Sequence, residues 1–152
     1  MKNSLKVVIC GLVLAAAGGM AYAGFAKPED AIRYRKAVMT VIGQHFGQVA
    51  MVVKGQAPFD KKNVVHDTMV IRTMAELPWE AVMVPGSDQG DTTLKASAMQ
   101  EKDKFMDVAR QFESAAQKLS EAAENGDLEA LKAQFGTVAG VCKTCHSTYR
   151  NK

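Results

Sequence analysis

The sequence predicts an all-α protein, an antiparallel four-helix bundle with up-down topology. Four segments carry apolar residues at alternating intervals of three and four, which is the period of an amphipathic helix. Strand-like alternation of apolar and polar residues is missing from the sequence. Two of the three links between these segments are short, and short links join antiparallel neighbours in a bundle.

The first predicted helix begins at Pro28, because a proline followed by Glu29 and Asp30 suits a helix N-terminus and its dipole. The turn-rich stretch 55–60 ends this helix, and Asp60 can cap the second one. The inward face of the first helix comprises Ile32, Arg35, Met39, Ile42, Phe46 and Val49. The apolar marks of the second are Val64, Val65, Thr68, Met69, Ile71 and Ala75.

The second helix is predicted to end at Leu77-Pro78-Trp79, and residues 80–93 form a long crossover without periodicity. Asn125-Gly126-Asp127 ends the third helix and caps the fourth. The third helix has an apolar stripe of Phe105, Val108, Phe112, Ala115, Leu119 and Ala122. The stripe of the fourth is Leu128, Leu131, Phe135, Val138, Cys142, Cys145 and Tyr149.

Residues 1–23 have the pattern of a secretory signal peptide. Lys2 and Lys6 precede an apolar run that is too short for a membrane span, and Ala21-Tyr22-Ala23 supplies a small-x-small cleavage pattern. We therefore expect an exported, periplasmic protein whose single mature domain is 24–152, without a membrane span.

Removal of this leader leaves a nearly neutral protein. The chain has 19 basic and 16 acidic residues, and loss of two lysines leaves 17 against 16. A nucleic-acid partner is not expected, because no large positive excess remains.

The segment Cys142-Lys143-Thr144-Cys145-His146 is a C-x-x-C-H motif, the signature of covalent haem attachment. Two cysteine sulfurs bond to the vinyl groups of a haem, and the adjacent imidazole binds the iron. Residues three apart lie on one face of a helix, so both thiols continue the apolar stripe of the fourth helix. The sequence therefore predicts one haem c held inside the bundle.

The cysteines have two alternative uses. A zinc site usually needs four protein ligands, and the mature chain contains no second cysteine pair. In a haem-free helical interaction protein, Cys142 and Cys145 would form a disulfide, although a bridge over so short a loop would constrain the unfolded chain little.

With these features the mature chain resembles the cytochrome c′ family, class II c-type cytochromes with a C-terminal haem motif on a four-helix bundle. The resemblance rests on segments spread along the whole chain. These are 25–31, Tyr34-Arg35, Val53-Lys54-Gly55, Ala57-Pro58, Leu77-Pro78-Trp79, Gly90-Asp91, Gly126-Asp127-Leu128, Cys142 to His146, and Tyr149-Arg150.

The resemblance implies a role for each of several residues. Cys142 and Cys145 carry the thioethers, and His146 is the axial iron ligand. Arg35 meets a haem propionate, and Arg150 lies against the proximal histidine. The remaining haem neighbours it implies are Lys36 and Asp91 near the haem edge, Trp79 beside the haem, and Met39 over the vacant face of the iron.

Met39 leaves two alternatives open. A bulky apolar side chain above the iron would crowd the sixth position and leave it vacant, whereas low-spin relatives of the same fold bind the iron through a methionine sulfur. Both classes carry an Arg-x-x-x-Met pattern, which Arg35 to Met39 matches. The overall resemblance favours the vacant position.

Three other residues have an ordinary alternative to a haem role. Arg35 would extend to solvent at the bundle edge. His45 and His66 lie outside any motif and are expected to be exposed or hydrogen-bonded rather than iron ligands.

The expected function is electron transfer, binding of neutral diatomic gases such as nitric oxide and carbon monoxide, or both. Enzymatic turnover is not expected, because no acid–base constellation accompanies the motif. Expected partners are periplasmic redox proteins and a second copy of the chain. The resemblance places the homodimer contact on the first two helices, where Met51, Val52 and Val53 would contribute.

Overall fold

The computed structural model describes residues 24–152, and the predicted signal peptide lies outside the described residues. Their helices, in chain order, are α1 (Pro28–Val53), α2 (Lys61–Met74), α3 (Pro78–Val82), α4 (Ser97–Gln100), α5 (Lys102–Asn125) and α6 (Leu128–Tyr149). The four long helices α1, α2, α5 and α6 form the bundle, so the predicted fold class is confirmed.

Capping side chains and a glycine explain where the long helices begin and end. The Asp60 carboxylate accepts a hydrogen bond from the backbone N–H of Asn63 at 3.2 Å, and Asp127 accepts one from Ala130 at 2.9 Å. Gly126 ends α5 with a φ of 72°, a left-handed conformation that glycine adopts at little cost. The two hairpin links of the bundle are therefore fixed by short sequence signals.

The core runs the length of the bundle between the inward stripes of the long helices. The α5 helix packs against both α2 and α6, and α1 packs against α2. The largest fully buried side chains include one or more from each long helix. Among them are Val49, Val64, Ile71, Leu119, Leu131 and Val138.

Two details of the predicted second helix and crossover are wrong. The second helix does end before Pro78, at Met74, but Pro78 then begins the short helix α3, which runs to Val82 inside the predicted aperiodic crossover. Met69 was placed on the apolar face, yet its side chain is 49% exposed. Thr68, which was predicted on the same face, is buried, and the two differ because neighbouring helical residues point about 100° apart.

The crossover segment, residues 83–96, closes one end of the bundle. It pairs with the C-terminus of α6, since the Lys95 N–H donates to the Tyr149 carbonyl at 2.9 Å and the Asn151 N–H donates to the Thr93 carbonyl at 2.8 Å. It also contacts the start of α1, where a Cβ on Gly86 would lie 3.3 Å from Cγ of Pro28. The start of α1 and the end of α6 therefore meet at this crossover end, and the two helices are antiparallel.

Within residues 24–152, no helix combines the length and apolar character that a membrane crossing requires.

Candidate haem site

The C-x-x-C-H motif lies on the last two turns of α6, near the crossover end. Cys142 and Cys145 are free thiols, half-buried, with side chains packed against the hydrophobic core. Val138 and Tyr149, one turn before and one turn after them, are fully buried on the same stripe. The prediction that both thiols continue the buried stripe of this helix is confirmed.

The surroundings of the two thiols keep them protonated. Burial raises the pKa of Cys142, and burial together with the charge of Cys142 raises the pKa of Cys145 to about 11. Both groups are therefore thiols at neutral pH. A thioether forms when such an S–H adds across a vinyl C=C bond, so these side chains have the chemistry that haem attachment needs.

His146 follows on the more exposed side of α6. Partial burial, and then the positive charge of Arg150, lower its pKa. The imidazole is thus favoured in its neutral form, which is the form that binds a metal. The Arg150 side chain is held by a hydrogen bond from its Nε to Thr93 Oγ1 at 3.1 Å. Its predicted place beside His146 agrees with this electrostatic influence.

Arg35 is buried, and its guanidinium anchors the crossover segment and the end of α3 to α1. Nη1 donates to the Ala81 carbonyl at 3.1 Å, and Nη2 donates to the Ser87 carbonyl at 3.0 Å and to Thr92 Oγ1 at 2.8 Å. The alternative that this side chain extends to solvent is wrong, since only 7% of the residue is exposed. The contact with a propionate stays a prediction.

Lys36 and Asp91 form an ion pair at the surface, one residue along α1 from the Arg35 anchor. Their charged atoms are 2.8 Å apart, and both side chains are largely exposed. The pair joins α1 to the crossover segment a second time, although solvent keeps its energetic contribution small. Their predicted position at a haem edge remains untested.

Trp79 on α3 is buried in a row of aromatic rings that extends to α6, the helix that carries the C-x-x-C-H motif. Its ring packs edge-to-face on Phe105 and Phe112 of α5, with centroids 5.8 and 6.1 Å apart. Phe105 in turn packs on Tyr149 of α6 at 5.2 Å. The Trp79 Nε1–H, however, has no hydrogen-bond partner among the described residues.

An unpaired buried indole N–H is costly and calls for an acceptor. A bound group that carries acceptor atoms would satisfy it. Together with two half-buried thiols on a core-facing stripe and a neighbouring imidazole, this orphaned donor fits a covalently held haem. Cys142 and Cys145 would hold the haem, and His146 would bind its iron.

Met39 is half-buried on α1 and packs against the core. Its height in the bundle follows from a ring stack between α1 and α6, since Phe46 and Phe135 are nearly parallel with centroids 4.2 Å apart. Met39 lies seven residues before Phe46, and Cys142 lies seven residues after Phe135. Because the helices are antiparallel, both steps lead about 10 Å toward the crossover end. Met39 and Cys142 therefore stand at the same level.

Sequence reasoning missed the partners of Arg35 in the crossover and at the end of α3. Two of them are backbone carbonyls, which leave no mark on the sequence, and Thr92 is an unremarkable loop residue. The one available signal is Arg35 itself, because a charge on an apolar helical stripe needs a partner.

Comparison with known proteins agrees with this site. Residues 30–150 match the family model described as Cytochrome C′. Cytochrome c′ from Alcaligenes xylosoxydans xylosoxydans is 41% identical over 128 residues, covering 84% of this chain and 98% of the relative. The crystal structure of cytochrome c′ from Rubrivivax gelatinosus superposes with a TM-score of 0.80 at 38% identity, covering 84% and 99% of the two chains.

A third match is a nitric oxide complex of a variant of cytochrome c prime from Alcaligenes xylosoxidans. It has a TM-score of 0.78 at 41% identity and covers 84% of this chain and 98% of the other. A four-helix bundle that carries a C-x-x-C-H motif on its last helix defines a c-type haem protein. The chain belongs to the cytochrome c′ family and, with it, carries one covalently bound haem c.

Proposed function

We propose that this protein binds nitric oxide and carbon monoxide at a five-coordinate haem iron and exchanges single electrons with redox proteins of the periplasm. The observation that carries the proposal is the common level of Met39 on α1 and Cys142 on α6. When bound, the haem would supply a redox-active iron that can take up a small neutral ligand. His146 would hold the iron from the α6 side, and the Met39 side chain would limit access from the α1 side.

The neighbours of Met39 support a pocket for neutral gases. The residues that precede and follow it on the inward stripe of α1 are Arg35, whose Nη atoms donate to the crossover and the end of α3, and the apolar Ile42. The pocket that these two residues would form with Met39 has one apolar side chain and one guanidinium already engaged with backbone carbonyls, and little to stabilise a polar bound oxygen. It therefore favours nitric oxide and carbon monoxide over oxygen. The nitric oxide complex of the Alcaligenes relative supports the same ligand class.

The nearest alternative is a six-coordinate electron carrier in which the Met39 sulfur binds the iron. The position of Met39 supports this alternative as well, because a thioether sulfur at that level would be placed to bind the iron, just as the bulk of the side chain would be placed to block it. The two cases differ in what leucine does at this position. Leucine keeps the bulk of methionine and has no sulfur.

The proposal is tested by measuring carbon monoxide affinity of the ferrous protein for Met39→Ala and Met39→Leu. Met69→Ala is the matched control, since that methionine is exposed on α2. If Met39 only crowds the iron, alanine raises the affinity by about tenfold or more, while leucine and the control leave it nearly unchanged. An equal rise with leucine and alanine would show that a sulfur ligand had been removed, and would overturn the five-coordinate proposal.

The periplasmic location is part of the proposal and rests on the signal-peptide pattern of residues 1–23. Intact mass measurement of the protein from a periplasmic extract tests it. Mature chains beginning at Gly24 are expected. Chains that retain Met1 and remain in the cytoplasm would contradict the location.

A homodimer through α1 and α2 is also proposed. Met51, Met69 and Val41 expose apolar surface on these helices, at 43%, 49% and 36% respectively. Val52 and Val53 are half-buried and pack against the core, so they contribute less than Met51. Sedimentation velocity should show a dimer that Met69→Lys weakens. A monomer at all concentrations would contradict it. Within this proposal the protein is a carrier and a gas binder, and not an enzyme.

A further inference from the structure

Two histidines and an aspartate converge between α1 and α2, away from the haem motif. His45 comes from α1, and His66 and Asp67 come from α2. One potential ligand atom of each residue lies within 4.8 Å of the others. His45 directly precedes Phe46 and so points about 100° away from the stripe that faces α6. The cluster therefore belongs to a different face of the bundle from the haem.

A hydrogen bond already holds part of this cluster in place. His45 Nδ1 and Asp67 Oδ1 are 2.7 Å apart, with side chains 24% and 14% exposed. The ring of His66 stands edge-on to that of His45, with centroids 5.7 Å apart and an interplanar angle of 72°. His66 itself is exposed and takes no part in the His45–Asp67 bond. The two histidines thus behave as the sequence predicts, one hydrogen-bonded and the other exposed.

We propose that His45, His66 and Asp67 bind one divalent transition-metal ion per chain, with zinc as the representative ion. Two imidazoles and one carboxylate are a ligand set that such ions use widely, with water filling the remaining positions. Mg²⁺ and Ca²⁺ prefer oxygen ligands and do not suit this site.

The spacing of the cluster fits a metal after small side-chain movements. Zinc bonds to nitrogen and oxygen are about 2.0–2.1 Å long, which sets neighbouring ligand atoms about 3.3 Å apart in a tetrahedral site. The 2.7 Å pair must open by a few tenths of an ångström, and the widest pair, at most 4.8 Å, must close. His66 is exposed, so its ring can turn without displacing the core.

A purely structural role for the cluster is the competing explanation. The hydrogen bond between His45 and Asp67 joins α1 to α2, and that role needs no contribution from His66. Metal binding does require His66. Its substitution therefore separates the two explanations, and its exposure on α2 makes His66→Ala compatible with folding.

The test is a zinc titration of the haem-loaded protein in competition with a chromophoric zinc indicator. A chelator first removes metal ions other than the haem iron. Removing a residue that only hydrogen-bonds to a metal ligand commonly weakens metal binding by about 10–100-fold. Removing a ligand itself, as in His66→Ala, should therefore weaken zinc binding at least about tenfold. Asp67→Asn should weaken it as well. The matched control Asp103→Asn, an exposed acid on α5, should bind one zinc per chain like the unmodified protein. Excess Mg²⁺ should not compete.

Thermal unfolding gives a second measurement. An ion that joins α1 to α2 stabilises the folded state, so zinc should raise the midpoint for the unmodified chain and for Asp103→Asn, and not for His66→Ala. Zinc binding that His66→Ala leaves intact, or no binding by the unmodified protein, would overturn the proposal. A stoichiometry of one zinc per two chains, or a zinc-induced change in the haem spectrum, would also contradict it, because the ion would then lie between copies or at His146.

Discussion

The guanidinium of Arg35 lies 3.0 Å from the backbone carbonyl oxygen of Ser87, 52 residues further along the chain. This contact joins the second turn of α1 to the crossover segment. The same segment pairs with the residues that follow His146 on α6. Arg35 therefore helps to set the position of α1 relative to α6, and with it the position of Met39, one turn after Arg35.

Substitution Arg35→Met should destabilise the haem-loaded protein by about 2–6 kcal/mol. Methionine keeps most of the aliphatic length but leaves two buried carbonyls without donors, and each unsatisfied group costs about 1–3 kcal/mol. Denaturant unfolding measures the change. Arg33→Met is the control, because Arg33 is exposed and, among residues 24–152, pairs only with Asp30, so its loss should change stability by about 0.5 kcal/mol or less. Equal effects of the two substitutions would contradict the anchoring role.

Arg150→Gln should make the iron ligand more sensitive to acid. The positive charge of Arg150 is one of two causes that lower the pKa of His146, so its removal raises that pKa. His146 then takes up a proton, and leaves the iron, at a higher pH. Spectroscopic acid titration should show an upward shift of less than about one pH unit, since solvent screens exposed charges.

The shift caused by Arg150→Gln should shrink at high salt, because mobile ions screen the charge. Lys118→Gln on α5 removes an exposed cation elsewhere and should leave the acid midpoint unchanged. A downward shift with Arg150→Gln would contradict the electrostatic role assigned to this side chain.

The two thiols should account for all covalent attachment of haem. Mass spectrometry under denaturing conditions should find one haem on the unmodified mature chain and on each single variant, Cys142→Ala or Cys145→Ala. The double variant should release its haem to acidified organic solvent. A mature chain without haem and lighter by two hydrogens would instead carry a disulfide, and would contradict the account of this site.

The stack of Phe46 on Phe135 should show a measurable coupling, since it fixes the level of Met39 relative to Cys142. A double-mutant cycle with leucine at both positions should give a coupling free energy of about 0.5–1.5 kcal/mol. Phe25 packs on Tyr34 instead, so its cycle with Phe46 should give a value near zero. Absence of coupling between Phe46 and Phe135 would contradict the assigned register.

Much of the bundle could be predicted because its signals are local. The stripe through Val138 and Tyr149 follows from helical period alone, and Asp127 caps α6 through its own side chain. The crossover could not be predicted in the same way. Its conformation depends on hydrogen bonds from Arg35 to backbone carbonyls far along the chain. Met69 was misplaced because an apolar residue one position off the stripe is indistinguishable by type from a buried one.

The same distinction between local and long-range signals applies to the candidate site. The motif residues of α6 are defined by sequence spacing, whereas the level of Met39 opposite Cys142 needed the ring stack between two helices that are distant in sequence. The cluster of His45, His66 and Asp67 likewise arises only when α1 and α2 pack together. Features of the site that depend on one helix could be predicted from the sequence, and features that depend on the packing of two helices could not.

The most direct test of the central claim is the absorption spectrum of the purified protein in its ferric and ferrous states. A high-spin, five-coordinate haem spectrum in both states is the predicted result, because His146 occupies one face and the Met39 side chain crowds the other without binding. A low-spin spectrum with a sulfur-to-iron charge-transfer band that disappears in Met39→Leu would contradict it.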